Sequence, residues 1–359
     1  MKRTWIIKNI CIALTVMTVF VHCKNDDPAT DKKEEPIPEG YYKNPVFIPT
    51  FADPTVIKAS DGFFYAYATE DGWDYGAPAH IVPVIRSQDL VTWEFMNDAF
   101  VTKPSWKSPA FVWAPDINLV NGKYYLYYSL SLWEDPNPGI GLAVSDSPVG
   151  PFVDKGKILL SNEVGVGNSI DPFYYEEGGK KYLFWGSFRG IYGIALTDDG
   201  TAITGTKFQV AGDWMEGTYI FKHNNYYYLF GSNGHCCLGR ETPYKVLIGR
   251  SSSIEGPYVN QQGQSLITNQ GNLFLEGDPS PGVTTGFAGP GHNAEIVTDD
   301  NGTDWFLYHA VDKGRPLLPN GATRRPLMID RIEWVNDWPK IELSEPSETA
   351  QPKPVFLND

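Results

Sequence analysis

The sequence predicts an all-β chain folded as a five-bladed β-propeller. Three observations carry this reading. A turn followed by a dense aromatic strand occurs five times, a strand-turn-aromatic element recurs downstream of these strands, and residues 41–359 contain no long helical period flanked by caps. Composition agrees, because 11 Trp, 20 Tyr and 19 Phe favour strands while 35 Gly and 28 Pro punctuate turns. The 359 residues are enough for two domains, and two β-sandwiches are the alternative architecture, but a single large all-β domain is also allowed.

The five hairpin units are Asp61-Gly62-Phe63-Phe64-Tyr65-Ala66-Tyr67, Asn121-Gly122 before Lys123 to Tyr128, Gly178-Gly179 before Lys180 to Trp185, Asn224-Asn225 before Tyr226 to Phe230, and Asn301-Gly302 before Thr303 to Tyr308. Each joins turn chemistry to an apolar-aromatic strand, which is a hairpin signal. With Phe63, Tyr124, Tyr182, Tyr226 and Trp305 as markers, the intervals are 61, 58, 44 and 79 residues, close to one four-stranded blade plus loops. The last interval implies a long insertion between residues 259 and 300. Arg86 to Trp93, Ser145 to Phe152 and Ser251 to Tyr258 share a second plan, in which a strand ends in a Ser/Asp turn and resumes with an aromatic.

Residues 1–23 read as a signal rather than as part of the fold. Lys2, Arg3 and Lys8 precede an uncharged apolar run from Ile10 to Val21, too short to span a bilayer comfortably. The run ends at Cys23 and resembles a lipoprotein signal, which implies lipidation of Cys23 and an exported protein held at the outer membrane, on the cell surface or periplasmic face. The lipobox departs from the usual pattern at Phe20 and His22, and an ordinary cleaved signal is the alternative. Residues 24–40 are polar and Pro-rich and read as a flexible tether, leaving 41–359 as the propeller.

With 43 acidic against 29 basic side chains the net charge is −14, which excludes a nucleic-acid backbone as partner. Of four Cys, Cys11 and Cys23 belong to the signal, so the adjacent pair Cys236-Cys237 excludes both a disulfide scaffold and a Cys-based zinc site. A vicinal disulfide and two free thiols are both open. A monomer is expected.

Inner strands of a propeller converge on its axis, so polar residues at their starts form one pocket. Upstream of the aromatic strands stand Ala52-Asp53-Pro54, Trp113-Ala114-Pro115-Asp116, Ser169-Ile170-Asp171-Pro172, Met215-Glu216-Gly217 and Gly291-His292-Asn293. Asp53, Asp116, Asp171, Glu216 and His292 precede their markers by 10, 8, 11, 10 and 13 residues, which gathers them round one axis. Singly, Asp-Pro starts turns, Glu216 suits a solvated loop and His292 a buried imidazole. Together, carboxylates converging in an aromatic pocket raise at least one pKa, and a raised acid beside an ionised base is the pair that breaks a glycosidic bond.

At these residues the sequence resembles glycoside hydrolase family 43, most closely its arabinan-degrading members, from about Asn44 to Pro339. The matching stretches include Ala52-Asp53-Pro54, Trp113-Ala114-Pro115-Asp116, Ile170-Asp171-Pro172 and Glu216-Gly217. Cys236-Cys237 with Tyr244-Lys245-Val246 and Gly249-Arg250-Ser251, and Gly289-Pro290-Gly291-His292-Asn293, are more discriminating. The resemblance implies an inverting hydrolase acting on α-1,5-linked L-arabinan of plant cell walls, or on its oligosaccharides, by endo attack. It makes Asp53 the general base, Glu216 the general acid, and Asp171 the residue that orients Glu216 and tunes its pKa. It places Asp116 in the pocket as a substrate contact, and His292 near a structural calcium ion on the axis. Phe51, Trp113, Phe188 and Tyr219 are candidate sugar platforms, because sugar faces stack on rings, and Arg189 is a candidate for the rim. Endo-acting members usually carry His before the base, where this chain has Ala52, so exo-acting α-L-arabinofuranosidase and β-xylosidase activities are alternatives. A non-catalytic carbohydrate-binding propeller is the alternative of another class.

Overall fold

The structure, a computed structural model, describes residues 36–73 and 76–357. The signal, Cys23 and most of the tether lie outside these residues. No helix among the described residues is long and apolar enough to cross a membrane.

The turn chemistry acts as the sequence predicts. Asn121 and Gly122 both take left-handed backbone, with φ of 51° and 77°. That turn matches the twist of the strands it joins, so Phe111–Val120 and Lys123–Ser131 pair antiparallel with Val120 opposite Lys123. Repeating this hairpin gives five antiparallel sheets. Blade one is Thr55–Lys58, Phe64–Tyr67, Pro83–Ser87 and Glu94–Asp98. Blade two is Phe111–Val120, Lys123–Ser131, Gly139–Ser145 and Val153–Leu160, and blade three is Phe173–Glu177, Lys180–Trp185, Ile191–Leu196 and Ile203–Ala211. Blade four is Glu216–His223, Tyr226–Asn233, Lys245–Ser251 and Asn272–Glu276. Blade five is Phe287–Gly291, Asp304–Asp312, Leu327–Val335 and Trp338–Lys340, with Val297–Thr298 also paired to Asp304–Asp312.

Each aromatic strand is the second strand of its blade, and its rings fill the space between blades. Tyr127 of blade two stacks on Tyr174 of blade three at 5.6 Å, and Phe230 of blade four meets Phe306 of blade five at 5.7 Å. Each ring so buried contributes about 1.5–3 kcal/mol relative to exposure. The range 259–300 is not one insertion as the spacing suggested. It holds the outer strand of blade four and the inner strand of blade five, and the added length is the connection 252–271.

Among the described residues no strand is exchanged between blades, and closure falls to the segments that flank the propeller strands. Tyr41–Tyr42 pairs with Gln351–Pro352. Behind it, Asn44 Nδ2 donates to Ile329 O (2.9 Å) and Ile329 N–H returns a bond to Asn44 Oδ1 (3.0 Å), which pins the segment before blade one onto blade five.

Candidate active site

Each inner strand has, within it or within two residues of its end, a residue in left-handed backbone: Asp53 (φ 53°), Ala114 (41°), Asp171 (59°), Gly217 (60°) and His292 (42°). The strand registers shift beside these kinks in blades two, four and five. Contacts link these five positions into one ring, His292 to Asp53, Asp53 through Thr69 to Ala114, and Gly217 to both Asp171 and His292. At Gly217 the ring demands glycine twice, since its φ is positive and a Cβ there would lie 3.0 Å from the His292 ring.

Asp53 sits in this ring, nearly buried. Its Oδ1 lies 3.0 Å from Arg325 Nη1, 3.3 Å from His292 Nδ1 and 3.4 Å from His309 Nδ1. Oδ2 accepts a bond from Thr69 Oγ1 at 2.6 Å. The Asp53 N–H donates to His309 Nδ1 (3.0 Å), which requires that nitrogen unprotonated. Burial, aided by the neighbouring guanidinium, lowers the pKa of both imidazoles, so Arg325 is the permanent positive charge facing Asp53. Burial alone would push the Asp53 carboxyl up, but Arg325, with the two imidazoles and Thr69, holds it well below the usual carboxylate range.

Glu216, one residue before the blade-four kink, has the opposite setting. Its Oε2 accepts from Ser187 Oγ (2.6 Å) and its Oε1 from Tyr244 Oη (2.7 Å), yet burial outweighs both bonds and raises its pKa. Asp171 is buried against it. Its N–H donates to Ser129 Oγ (2.8 Å), its Oδ2 accepts from Gly217 N–H (3.3 Å), and burial followed by the charges of Glu216 and Asp53 raises its pKa well above the usual range. The ring thus sets one carboxyl whose pKa is held down, Asp53, beside two whose pKa is raised, Glu216 and Asp171.

Asp116 does not join the ring. The left-handed position of blade two is Ala114, so Asp116 falls two residues further down its strand, and its marker interval of 8 rather than 10 to 13 already carried that difference. Its Oδ2 accepts from Tyr174 N–H (2.8 Å) and Asn118 Nδ2 (2.7 Å), so that oxygen is committed to blades two and three. Beside it stands Glu295, which sequence reasoning did not single out. Thr55 Oγ1 donates to Glu295 at 2.8 Å, and burial raises the Glu295 pKa to about 7. Burial and the Glu295 charge together raise Asp116, and the pair cross-links blades one, two, three and five.

Asp116, Glu295, His292, Thr218 and Asn293 line a void of about 20 Å³ on the axis. Thr218 Oγ1 and Asn293 Oδ1 are buried there without a partner. Unpaired oxygens beside an imidazole and carboxyls suit a hard cation or a water, so the residues present fit the calcium that the resemblance implies.

The aromatic expectations divide. Phe51 is fully buried against Phe47, and Tyr219 is core, its Oη accepting from Ile296 N–H (2.9 Å). Neither presents a face to a sugar, because both side chains pack between blades. Trp113 is half-buried, parallel to exposed Phe111 at 6.4 Å and 5.6 Å from Trp133, which is 69 % exposed. Phe188 is half-buried and its N–H donates to Met215 O, and Arg189 is exposed. Cys236 and Cys237 form a vicinal disulfide in the loop leading to Tyr244.

Among partners that the sequence did not mark, Tyr244 belongs to a family-like segment without an assigned role, and Ser187 immediately precedes Phe188. Arg325 and His309 had no local signal. Arg325 lies 272 residues from Asp53, and only closure of the ring joins them.

The family profile for glycosyl hydrolases family 43 matches residues 42–339. The chain belongs to that family. Within family 43 it is 32 % identical over 301 residues to the extracellular endo-α-(1→5)-L-arabinanase 1 of Bacillus subtilis (strain 168), covering 80 % of this chain and 86 % of that protein. It is 28 % identical over 324 residues to the extracellular exo-α-(1→5)-L-arabinofuranosidase of Cellvibrio japonicus (strain Ueda107), covering 82 % and 86 %. Among solved structures, the Cellvibrio cellulosa α-L-arabinanase complexed with arabinohexaose matches with a TM-score of 0.70 at 27 % identity, covering 83 % of this chain and 97 % of that one. The propeller is therefore shared with arabinanases of family 43.

Proposed function

We propose that this family 43 chain hydrolyses α-1,5-linked L-arabinan with inversion, with Asp53 as general base, Glu216 as general acid and Asp171 as the residue that orients and tunes the acid. The observation that supports this most is the opposite electrostatic setting of Asp53 and Glu216. An inverting site needs an ionised carboxylate to activate water on one face of the sugar and a protonated carboxyl on the other to protonate the leaving oxygen, about 6.5–9.5 Å apart. Blades one and four are not neighbours, which suits such a separation. The substrate assignment draws on the activities of the similar enzymes, which include an endo-acting and an exo-acting one. The family resemblance of the sequence favours endo attack. The extracellular relatives and the Lys/Arg-led apolar run ending at Cys23 support an exported enzyme, anchored at the outer membrane by lipid.

Product analysis on linear α-1,5-arabinan, with debranched xylan beside it, tests the assignment. Arabinose or arabino-oligosaccharides released with inverted anomeric configuration are expected. Release from xylan alone would move the enzyme to the xylosidase branch, and silence on both would favour a binding propeller.

Calcium is proposed on the axis, held through His292, Asn293 and Thr218, where it supplies positive charge beneath the ring. Chelation is expected to lower the melting temperature, by about 1–2 °C per kcal/mol of binding lost for a fold of this length, and added calcium to restore it in scanning calorimetry. A melting curve indifferent to chelator would remove the ion from this reading.

Arg325 yields a pH prediction. The base works ionised, so activity falls as pH drops through the Asp53 pKa, and Arg325 keeps that fall far to the acid side. Arg325→Gln removes the charge and leaves the burial, so the acid limb of the kcat/KM profile should move to higher pH, and Arg325→Lys should move it part of the way back. An unmoved acid limb would show that Arg325 does not tune the base.

A further inference from the structure

On the catalytic end of the propeller one loop touches a neighbour on either side, and each of the three rises from residues that hold Asp53 or Glu216. The first is a blade-five hairpin over residues 316–324, closed by the Leu317–Thr323 bridge and the Leu318 N–H to Ala322 O bond (2.8 Å). It ends one residue before Arg325, the partner of Asp53. Its tip, Asn320, reaches blade one, where a Cβ at Gly72 would lie 3.6 Å from the Asn320 amide nitrogen. Gly72 follows Thr69, which also bonds Asp53. On the other side the hairpin meets the blade-four loop that carries the Cys236–Cys237 disulfide. Gly239 N–H donates to Thr323 Oγ1 (3.1 Å), and a Cβ at Gly239 would lie 3.4 Å from the Leu317 side chain. That loop leads into Tyr244, the partner of Glu216.

The equivalent connections of the other two blades are shorter. Blade three has only residues 186–190, folded down so that Phe188 N–H bonds Met215 O and Ser187 bonds Glu216. Blade two has residues 132–138, which carry exposed Trp133. The connections are therefore long and joined by contacts over blades four, five and one, and short over blades two and three.

We propose that this three-loop wall, with the 316–324 hairpin as its centre, makes the site a one-mouthed pocket that takes the end of an arabinofuranosyl chain, so that attack is exo. A polymer cleaved in mid-chain must leave the site in two directions. Here the wall stops it over three consecutive blades, and the remaining opening leads past Trp113 and Trp133. The proposal rests on the arabinan reading above and adds the mode of attack.

The test follows both product size and polymer length during hydrolysis of linear α-1,5-arabinan. The wild-type enzyme is expected to release one short product from the first time point while the polymer shortens slowly. At equal mass concentration, its initial rate should rise in proportion to the number of chain ends when the arabinan is pre-cut to shorter chains. Replacing Leu318 to Ala322 by Asn-Gly keeps the Leu317–Thr323 pair and lowers the wall, and should give a ladder of oligosaccharides with a rapid fall in polymer length. The chain-end measurement needs no variant, so it holds even where the shortened hairpin fails to fold. A ladder from the wild-type enzyme, or a rate indifferent to the number of ends, overturns the exo proposal and leaves the arabinan reading intact. Absence of any product from arabinan overturns both.

Discussion

Glu216→Gln is expected to cut turnover on arabinan by about 10²–10⁴, the usual contribution of a positioned proton donor, while binding of arabino-oligosaccharide persists. Gln keeps the size of the side chain and can still meet Ser187 and Tyr244, whose hydroxyls now lie 2.6 and 2.7 Å from the carboxyl oxygens. What it cannot do is give up a proton to the leaving oxygen. The loss should therefore depend on the leaving group. An aryl arabinoside with an acidic phenol needs little protonation, and its hydrolysis should suffer much less than that of the polymer. Steady-state kinetics on both substrates check this, with calorimetric binding as the control for folding. Equal losses on both substrates would argue that Glu216 acts on binding or structure, and unchanged turnover would end its assignment as the acid.

Asp53→Ala should show the complementary pattern. The base acts on water, so its removal should cost about 10²–10⁴ in kcat whatever the leaving group. The replacement also leaves Arg325 without its carboxylate and Thr69 without its acceptor. Uncompensated buried charge destabilises by about 3–5 kcal/mol, so the melting temperature should fall as well. Asp53→Asn separates the two effects, since it keeps an oxygen near Arg325 but lacks basicity. It should recover part of the stability and none of the turnover. If Asp53→Asn retained activity on the polymer, the base would have to be sought elsewhere in the ring.

The two variants probe carboxyls whose contrast arises from partners of different origin. At Glu216 the raised pKa follows from burial in an aromatic-rich fold, which composition already foreshadowed. At Asp53 the depressed pKa follows from Arg325, which no local motif announces. The base therefore depends on closure of the propeller in a way that the acid does not. The link runs through the short segment that joins Asn44 to Ile329 and Thr50 to Arg325.

The blade count, the hairpin strands and the positions of Asp53, Asp171 and Glu216 at the starts of blades were legible in the sequence. They depend on turn residues and strand composition, which act over a few residues and repeat along the chain. The depth of Asp116 left only its shorter marker interval as a trace, because the backbone kink that sets the ring falls on Ala114 and leaves no mark in residue type. Nor were Phe51 and Tyr219 separable from the exposed rings, since strand and loop aromatics look alike until blades pack.

By itself, then, the sequence determined an all-β propeller with carboxylates at equivalent blade positions, because local chemistry repeated at blade spacing leaves few other folds. Only the tertiary structure decided which charge faces which carboxyl and that the 316–324 hairpin touches loops of blades one and four. Each of those depends on residues far apart in the chain being brought within a few ångströms, and that distance is set by closure of the ring rather than by any local pattern.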